Sequence, residues 1–257
     1  MPPELAPHYS EAIVRLPHCY LPTDRQRPIA LPPPRQALGL PPDAFVFCAF
    51  SGNYKISPDI FAIWMRLLAA VPGSVLWLVN DGEHVRANLR AQAARRGIDG
   101  GRLVFAGRCA YGDYLARYRL ADLFLDTLPF NAGTTASDAL WAGLPVLTQT
   151  GRSFAGRMAA SLLHAVGLPE LVTQTADEYE ALALRLATHA QELAALRQRR
   201  IACPGAGVQG SVGLQHVANA AQARARVLPA LLHPVGNQAV VKAQHVAHEA
   251  LAPNAAG

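Results

Sequence analysis

Short apolar runs alternate with amphipathic segments along the middle of the chain. Continuous apolar runs of this length are typical of strands buried on both faces, and they lie at residues 44–50, 74–79, 102–106 and 121–126. Between them, apolar residues recur at helical spacing, as in 58–71 and 83–96. The strict alternation predicts an α/β fold, a parallel, doubly wound, Rossmann-like sheet over about residues 43–200.

The pattern continues beyond the fourth strand. Residues 145–148 and 171–172 predict two more strands, and 154–166 predicts a helix. From Ala176 to about Leu196 the spacing predicts one long amphipathic helix.

Two flanking segments differ from this core. Residues 1–42 are rich in proline, which excludes a continuous helix and indicates a linker. Residues 201–257 are rich in Ala, Gln and His with weak periodicity. We expect this tail to pack poorly, to be mobile, and to be unrelated to the core or disordered.

Composition and charge narrow the function. The 257 residues are 51% hydrophobic and 16% charged, with a formal net charge of +5, which suits a globular protein with an anionic substrate. The positive charge is too diffuse to indicate nucleic acid. The four cysteines form no metal-binding spacing, and no apolar run is long enough for a membrane span. We therefore expect a soluble, cytoplasmic protein without a metal.

The stretch 121–148 is a βαβ unit with candidate chemistry. Gly133 allows close backbone approach, and Thr134 or Thr135 can cap the following helix. Its free N–H groups and two hydroxyls would bind an anion, while Asp138, one turn further in, could meet a sugar hydroxyl. The pattern thus predicts a phosphate and ribose site at the carboxyl end of the sheet. From the pattern alone, an ordinary strand-to-helix turn, in which Gly and Thr only shape and cap, is the favoured alternative, because capping threonines are common.

The segment Asn131–Val146 closely resembles the nucleotide-sugar motif of the O-linked N-acetylglucosamine transferases, the SPINDLY-like family. The resemblance extends over about residues 8–199. It implies the C-terminal lobe of a GT-B glycosyltransferase fold, with UDP-GlcNAc as donor, protein Ser or Thr as acceptor, and no cofactor. It also implies that the first lobe, which holds the family's proposed catalytic histidine, is not encoded in this chain. We accordingly expect no catalytic residue here.

Lys55 is the strongest single candidate. It follows the first strand, at the edge where such sheets bind ligands, and a lysine there can neutralise a diphosphate. From the sequence alone, an ordinary surface lysine is the favoured explanation. The triplet Tyr54, Lys55 and Ile56 resembles a family motif whose lysine contacts the pyrophosphate.

Two more residues come only from the resemblance. Arg117 matches a family arginine near the uracil, although it could also be a solvated helix residue. Tyr114 stands where the family often has histidine, and it could still stack on a base. Gly133 replaces another frequent histidine, directly before the threonine pair.

Two functions remain open from the sequence. One is an inverting glycosyltransferase acting on protein Ser or Thr, which we expect to be incomplete as this chain and inactive alone. The other is a nucleotide-binding module without turnover. A different Rossmann-type sugar-nucleotide enzyme, such as an epimerase, is disfavoured because no Gly-x-Gly-x-x-Gly follows a first strand.

Overall fold

The computed structural model describes residues 3–10, 12–13, 19–21 and 26–201. Its strands are β1 (Val46–Ala49), β2 (Val75–Val79), β3 (Leu103–Ala106), β4 (Leu123–Leu125), β5 (Val146–Gln149) and β6 (Val172–Thr173). Its α-helices are α1 (Pro58–Ala70), α2 (Glu83–Ala94), α3 (Tyr111–Arg117), α4 (Thr134–Ala142), α5 (Met158–Ala165), α6 (Ala176–Thr188) and α7 (Ala190–Ile201).

The strands form one parallel sheet in the order β3-β2-β1-β4-β5-β6. Each paired strand runs parallel to its neighbour; Cys48 on β1, for example, lies opposite Trp77 on β2 and Phe124 on β4. The predicted doubly wound sheet is confirmed.

The chain reverses direction between β1 and β4. From β1 it builds outward through β2 to β3, and then returns to β4 and builds the other way. Since such crossovers are right-handed, α1 and α2 cover one face and α3, α4 and α5 the other. The loops after β1 and β4 consequently diverge and leave a crevice at the carboxyl ends of these strands, where open α/β sheets bind ligands.

The central strands are apolar throughout because both of their faces are covered. All four residues of β1 and all three of β4 are buried, and Cys48 is a small core residue as predicted. The covering side of α1 is equally apolar, with Ile60, Trp64 and Leu68 buried against this core. Ser57 caps α1 by accepting a hydrogen bond from the Ile60 amide.

The prediction of one long helix over 176–196 is wrong in one respect. The helix is interrupted at His189, whose φ of −118° and ψ of 78° are not helical, and α7 then starts at Ala190. Just before the break, the Thr188 hydroxyl donates to the Leu184 carbonyl. The apolar spacing continues across the break, so the pattern conceals it.

Asp122 joins the two ends of the described core. Its carboxylate accepts from Arg35 at 2.9 Å and from the Val46 amide at 2.8 Å. Arg197, on α7, donates to the Ala121 carbonyl at 2.7 Å and lies 3.4 Å from the other Asp122 oxygen. We name Arg35, Asp122 and Arg197 the Asp122 clasp.

The predictions for the tail lie outside the described residues, which end at 201. Within the described part, none of the helices combines the length and apolarity needed to cross a membrane.

Tyr179 connects α1, α6 and the end of β4. Its hydroxyl donates to the Asp126 main-chain carbonyl at 3.0 Å and accepts from the Trp64 indole at 3.3 Å, and both side chains are buried. Tyr179→Phe leaves the indole N–H without its partner and should lower the free energy of unfolding by about 1–3 kcal/mol in urea titrations. Tyr54→Phe, at a site 86% exposed, is the matched control. Equal stabilities for both variants would contradict the importance of this link.

Candidate active-site crevice

The crevice holds the two segments that the sequence singles out. Lys55 lies in the short 3₁₀ turn Asn53–Lys55 after β1, and the loop 126–133 after β4 leads into α4. The two segments meet because β1 and β4 are neighbours in the sheet.

A buried carboxylate organises the loop after β4. Asp126 is 1% exposed, and its Oδ1 accepts from the Thr127 amide at 2.8 Å and the Ala132 amide at 2.7 Å. Its Oδ2 accepts from the Thr148 hydroxyl on β5 at 2.7 Å. Within the loop, the Asn131 amide group donates to the Thr127 carbonyl at 2.8 Å. The loop is therefore closed around one carboxylate.

Burial also changes the protonation of that group. Desolvation raises the pKa of Asp126 to about 7, against the opposing effects of its hydrogen bonds and the Lys55 charge. Lys55 in turn is half-buried, and desolvation lowers its pKa while the Asp126 charge partly counteracts this.

The Lys55 ammonium lies against the same loop. Its Nζ donates to the Asn131 carbonyl at 3.2 Å and stands 3.9 Å from the centre of the Phe130 ring. The structure thus places this positive charge beside the loop that leads into α4.

The start of α4 differs from the predicted capping. Gly133 is the N-cap and no side chain caps the helix, so neither Thr134 nor Thr135 has the predicted capping role. Both belong to the first turn, Thr134 exposed and Thr135 partly exposed, because the chain enters the helix one residue earlier. The first turn carries no acidic residue, and its N–H groups have no partner within the helix.

The space beside Gly133 is occupied by an aromatic residue. A Cβ at Gly133 would lie 3.0 Å from the Tyr20 hydroxyl and 3.6 Å from the Met158 sulfur. A Cβ at position 133 would push the Tyr20 hydroxyl away by a few tenths of an ångström. The packing therefore favours glycine here, in addition to any approach of a ligand.

Asp138 is buried and forms an ion pair. It is 2% exposed, and its Oδ1 accepts from Arg27 Nη1 at 2.5 Å and from the Tyr111 hydroxyl at 3.0 Å. The Arg27 guanidinium also lies 4.7 Å from the Trp141 ring, and the Trp141 indole donates to the Arg27 carbonyl at 3.0 Å. Within the described residues, Asp138 Oδ2 accepts no hydrogen bond. Desolvation raises the Asp138 pKa, and the Arg27 charge opposes that shift.

The ring of Tyr111 lies between Tyr114 and the Arg27–Asp138 ion pair. The Tyr114 ring centre is 6.1 Å from that of Tyr111 in a stacked arrangement, and the Tyr114 hydroxyl is hydrogen-bonded to that of Tyr118. Desolvation raises its pKa, so the phenol stays neutral. Arg117 instead points to the Gly107 carbonyl, at 2.5 Å, and no contact within the described residues joins it to Lys55 or Asp138.

Apart from Arg117, the predicted residues form two groups in the structure. Lys55, Gly133 and the threonine pair surround the start of α4, while Asp138 and Tyr114 lie along α4 and α3. The sequence analysis missed Arg27 and the role of Asp126. An acidic residue directly after a buried strand could have indicated Asp126, whereas no local pattern indicates that Arg27 pairs with a residue 111 positions away.

No group of three or more potential metal ligands occurs within the described residues.

Comparison with known proteins identifies the family of this chain. Residues 23–203 match the model of glycosyl transferase family 41. A UDP-N-acetylglucosamine--peptide N-acetylglucosaminyltransferase of Caenorhabditis elegans is 42% identical over 62% of this chain and 14% of its own length. The probable enzyme SEC of Arabidopsis thaliana is 36% identical over 79% of this chain and 22% of its own length. The chain therefore spans less than a quarter of these relatives.

Solved structures of glycosyltransferases also resemble this chain. A mutant O-GlcNAc transferase of Thermobaculum terrenum matches 87% of this chain and 44% of its own chain, at 32% identity and a TM-score of 0.69. HepE of Anabaena, determined with UDP and glucose, shares the fold at 23% identity and a TM-score of 0.56, over 77% of this chain and 51% of its own. The predicted fold class, half of a GT-B architecture, is confirmed.

The raised Asp126 pKa predicts a pH dependence of stability. A carboxyl group that holds its proton more tightly when folded stabilises the fold while protonated. The free energy of unfolding should therefore fall as pH rises from about 4 to about 7, by up to about 1.4 kcal/mol per pH unit from this group. Asp126→Asn should remove this component, since an amide can accept from both backbone N–H groups and donate to Thr148.

The measurement is urea unfolding across this pH range. Asp43→Asn, at an exposed aspartate, is the control and should keep the wild-type profile. If Asp126→Asn and wild type show the same slope, the carboxyl of Asp126 does not titrate in this window.

Proposed function

Because the chain belongs to glycosyl transferase family 41, we propose that residues 43–200 bind the UDP part of UDP-GlcNAc in a protein that transfers N-acetylglucosamine to Ser or Thr hydroxyls. The observation that carries this proposal is the meeting of Lys55 with the uncapped start of α4 at the β1–β4 crevice. The names of the relatives, which specify a UDP-N-acetylglucosamine donor and a peptide acceptor, support it.

The reaction defines what this lobe must do. The bond between the sugar C1 and the β-phosphate oxygen breaks, and its electron pair leaves with UDP. The acceptor hydroxyl oxygen forms the new bond to C1 with inversion and gives its proton to a base. Negative charge therefore grows on the β-phosphate.

The charges at the crevice suit that leaving group. The Lys55 ammonium, the first-turn N–H groups of α4 and the hydroxyls of Thr134 and Thr135 are all donors or positive ends of dipoles. In this proposal they stabilise the diphosphate without a metal, and Gly133 allows the approach.

The nucleoside lies along α4 and α3 in the same proposal. The open Oδ2 of Asp138 accepts from a ribose hydroxyl, and the Tyr114 ring lies beside the uracil. Arg117 has a weaker part, since its guanidinium is engaged with the Gly107 carbonyl and must turn to reach the base. A reducing, cytoplasmic setting belongs to this proposal too, because Cys19, Cys48 and Cys109 are free thiols.

A second candidate function is nucleotide binding without transfer. One observation favours it: both buried carboxylates of the crevice are engaged, Asp126 with the loop and Asp138 with Arg27. Neither is a free general base for an acceptor hydroxyl.

Lys55→Ala should separate the diphosphate from the nucleoside. Loss of one charge-assisted contact costs about 1.5–3 kcal/mol, roughly tenfold or more in affinity for UDP, while uridine binding should stay nearly unchanged. Calorimetric titration of both ligands measures this. Equal losses for UDP and uridine would show that the lysine does not face the diphosphate.

Two further variants are matched to that experiment. Thr135→Val retains the backbone donors, so its UDP affinity should fall less than that of Lys55→Ala. Asp138→Ala should weaken UDP and uridine alike, because its partner is the ribose. An Asp138→Ala variant that loses UDP but keeps uridine would contradict the ribose assignment.

A transfer assay separates the two candidate functions. With UDP-GlcNAc and a Ser/Thr-containing acceptor protein, we expect this chain to bind donor without transferring sugar, since neither carboxylate of the crevice is a free base. Detectable glycosylation, lost in Lys55→Ala, would establish transfer by this chain and reject the second function.

A further inference from the structure

Arg27 is the most unusual residue of the crevice. Its side chain is 7% exposed, yet in the part of the chain that the structure describes its Nε and Nη2 have no hydrogen-bond partner. A guanidinium has five N–H donors. In the described structure, the Arg27 guanidinium donates through Nη1 to Asp138. A buried guanidinium in this state costs free energy, because desolvated donors without partners are unfavourable.

The surrounding contacts fix this costly group in place. Its ring neighbour is Trp141, which also binds the Arg27 carbonyl through the indole N–H. Three residues later, the Ala30 amide donates to the Gly112 carbonyl on α3 at 3.2 Å. The segment thus spans α3 and α4 and holds the guanidinium at Asp138.

The effect of Arg27 falls on the Asp138 carboxylate. Arg27 and Tyr111 both donate to Oδ1, which leaves Oδ2 without a hydrogen bond in the described structure. A cation 2.5 Å away also favours the ionised form of a carboxylate that is only 2% exposed. Both effects make Oδ2 a strong, oriented acceptor.

We propose that Arg27 is a positioning residue for nucleoside binding: it holds Asp138 ionised and oriented, with Oδ2 available to the ribose hydroxyls. This inference rests on the proposed function, because it takes the ribose as the partner of Asp138. Arg27 itself does not contact the ligand, since its free nitrogen atoms are covered by protein.

The proposal predicts a specific change with pH. Asp138 faces Arg27 from the N-terminal segment, Tyr111 from α3, and the neutral phenols Tyr114 and Tyr118 behind it. Arg27 is the one cation among these groups. Removing its charge leaves only the Tyr111 hydrogen bond to oppose desolvation, so the Asp138 pKa rises and the carboxyl group accepts more weakly.

Arg27→Gln and Arg27→Lys separate charge from shape. Both keep a hydrogen-bond donor, but only lysine keeps the positive charge. Uridine is the probe because it carries no phosphate, whose own titration near pH 6 would obscure the result. Affinities are measured by ligand-observed NMR on the full chain at about pH 6 and about pH 8. Thermal unfolding of each variant confirms that it is folded.

We expect Arg27→Gln to lose roughly tenfold in uridine affinity near pH 6 and clearly less near pH 8, whereas Arg27→Lys loses about threefold or less at both. Wild type should be nearly independent of pH. Asp138→Asn should be weak at both values. This pattern supports the proposal.

Three results would overturn it. Equal, pH-independent losses in Arg27→Gln and Arg27→Lys would mean that Arg27 only maintains the local structure. If Arg27→Gln binds uridine as tightly as wild type while Asp138→Asn binds it weakly, Arg27 has no role in nucleoside binding. The proposed function would then still stand. If wild type binds neither UDP nor uridine, the proposed function itself fails, and this inference fails with it.

Discussion

The crevice depends on one buried carboxylate at the end of a central strand. Asp126 accepts two backbone N–H groups from its own loop and a hydroxyl from the neighbouring strand, so it fixes where the loop turns and where α4 begins. A short polar loop placed on a fully apolar sheet has few other partners for its amides. By fixing the loop, this acceptor helps to position the Asn131 carbonyl that accepts from Lys55.

Charge in the crevice is arranged in two layers. The outer layer is positive and accessible, with half-buried Lys55 and the dipole of α4. The inner layer is buried, with Asp126 enclosed by donors and one carboxylate oxygen of Asp138 paired with Arg27. This separation lets a negatively charged ligand approach the positive groups while each buried carboxylate remains neutralised by a proton or a partner. The two layers share the α4 helix, so a ligand bound to one is aligned with the other.

Local patterns predicted the sheet, the loop after β4 and Lys55 because each depends on neighbours in sequence. Thr134 and Thr135 show the limit: both are good capping residues, but the N-cap is Gly133, a position that packs closely against the Tyr20 hydroxyl. The break at His189 depends on the backbone of a single residue within a continuous apolar pattern. Arg27 pairs across 111 positions, and such contacts follow from the completed fold alone.

The Asp122 clasp has a consequence for the synthesis of the chain on the ribosome. Arg35 is made early and Asp122 midway, but Arg197 emerges only after all six strands have been translated. The order of β1 and β4 imposes the same delay, because β1 stays without its second neighbour until more than seventy further residues exist. The nascent lobe therefore exposes one apolar edge of β1 throughout that interval. Such an edge is open to pairing with other chains until β4 covers it.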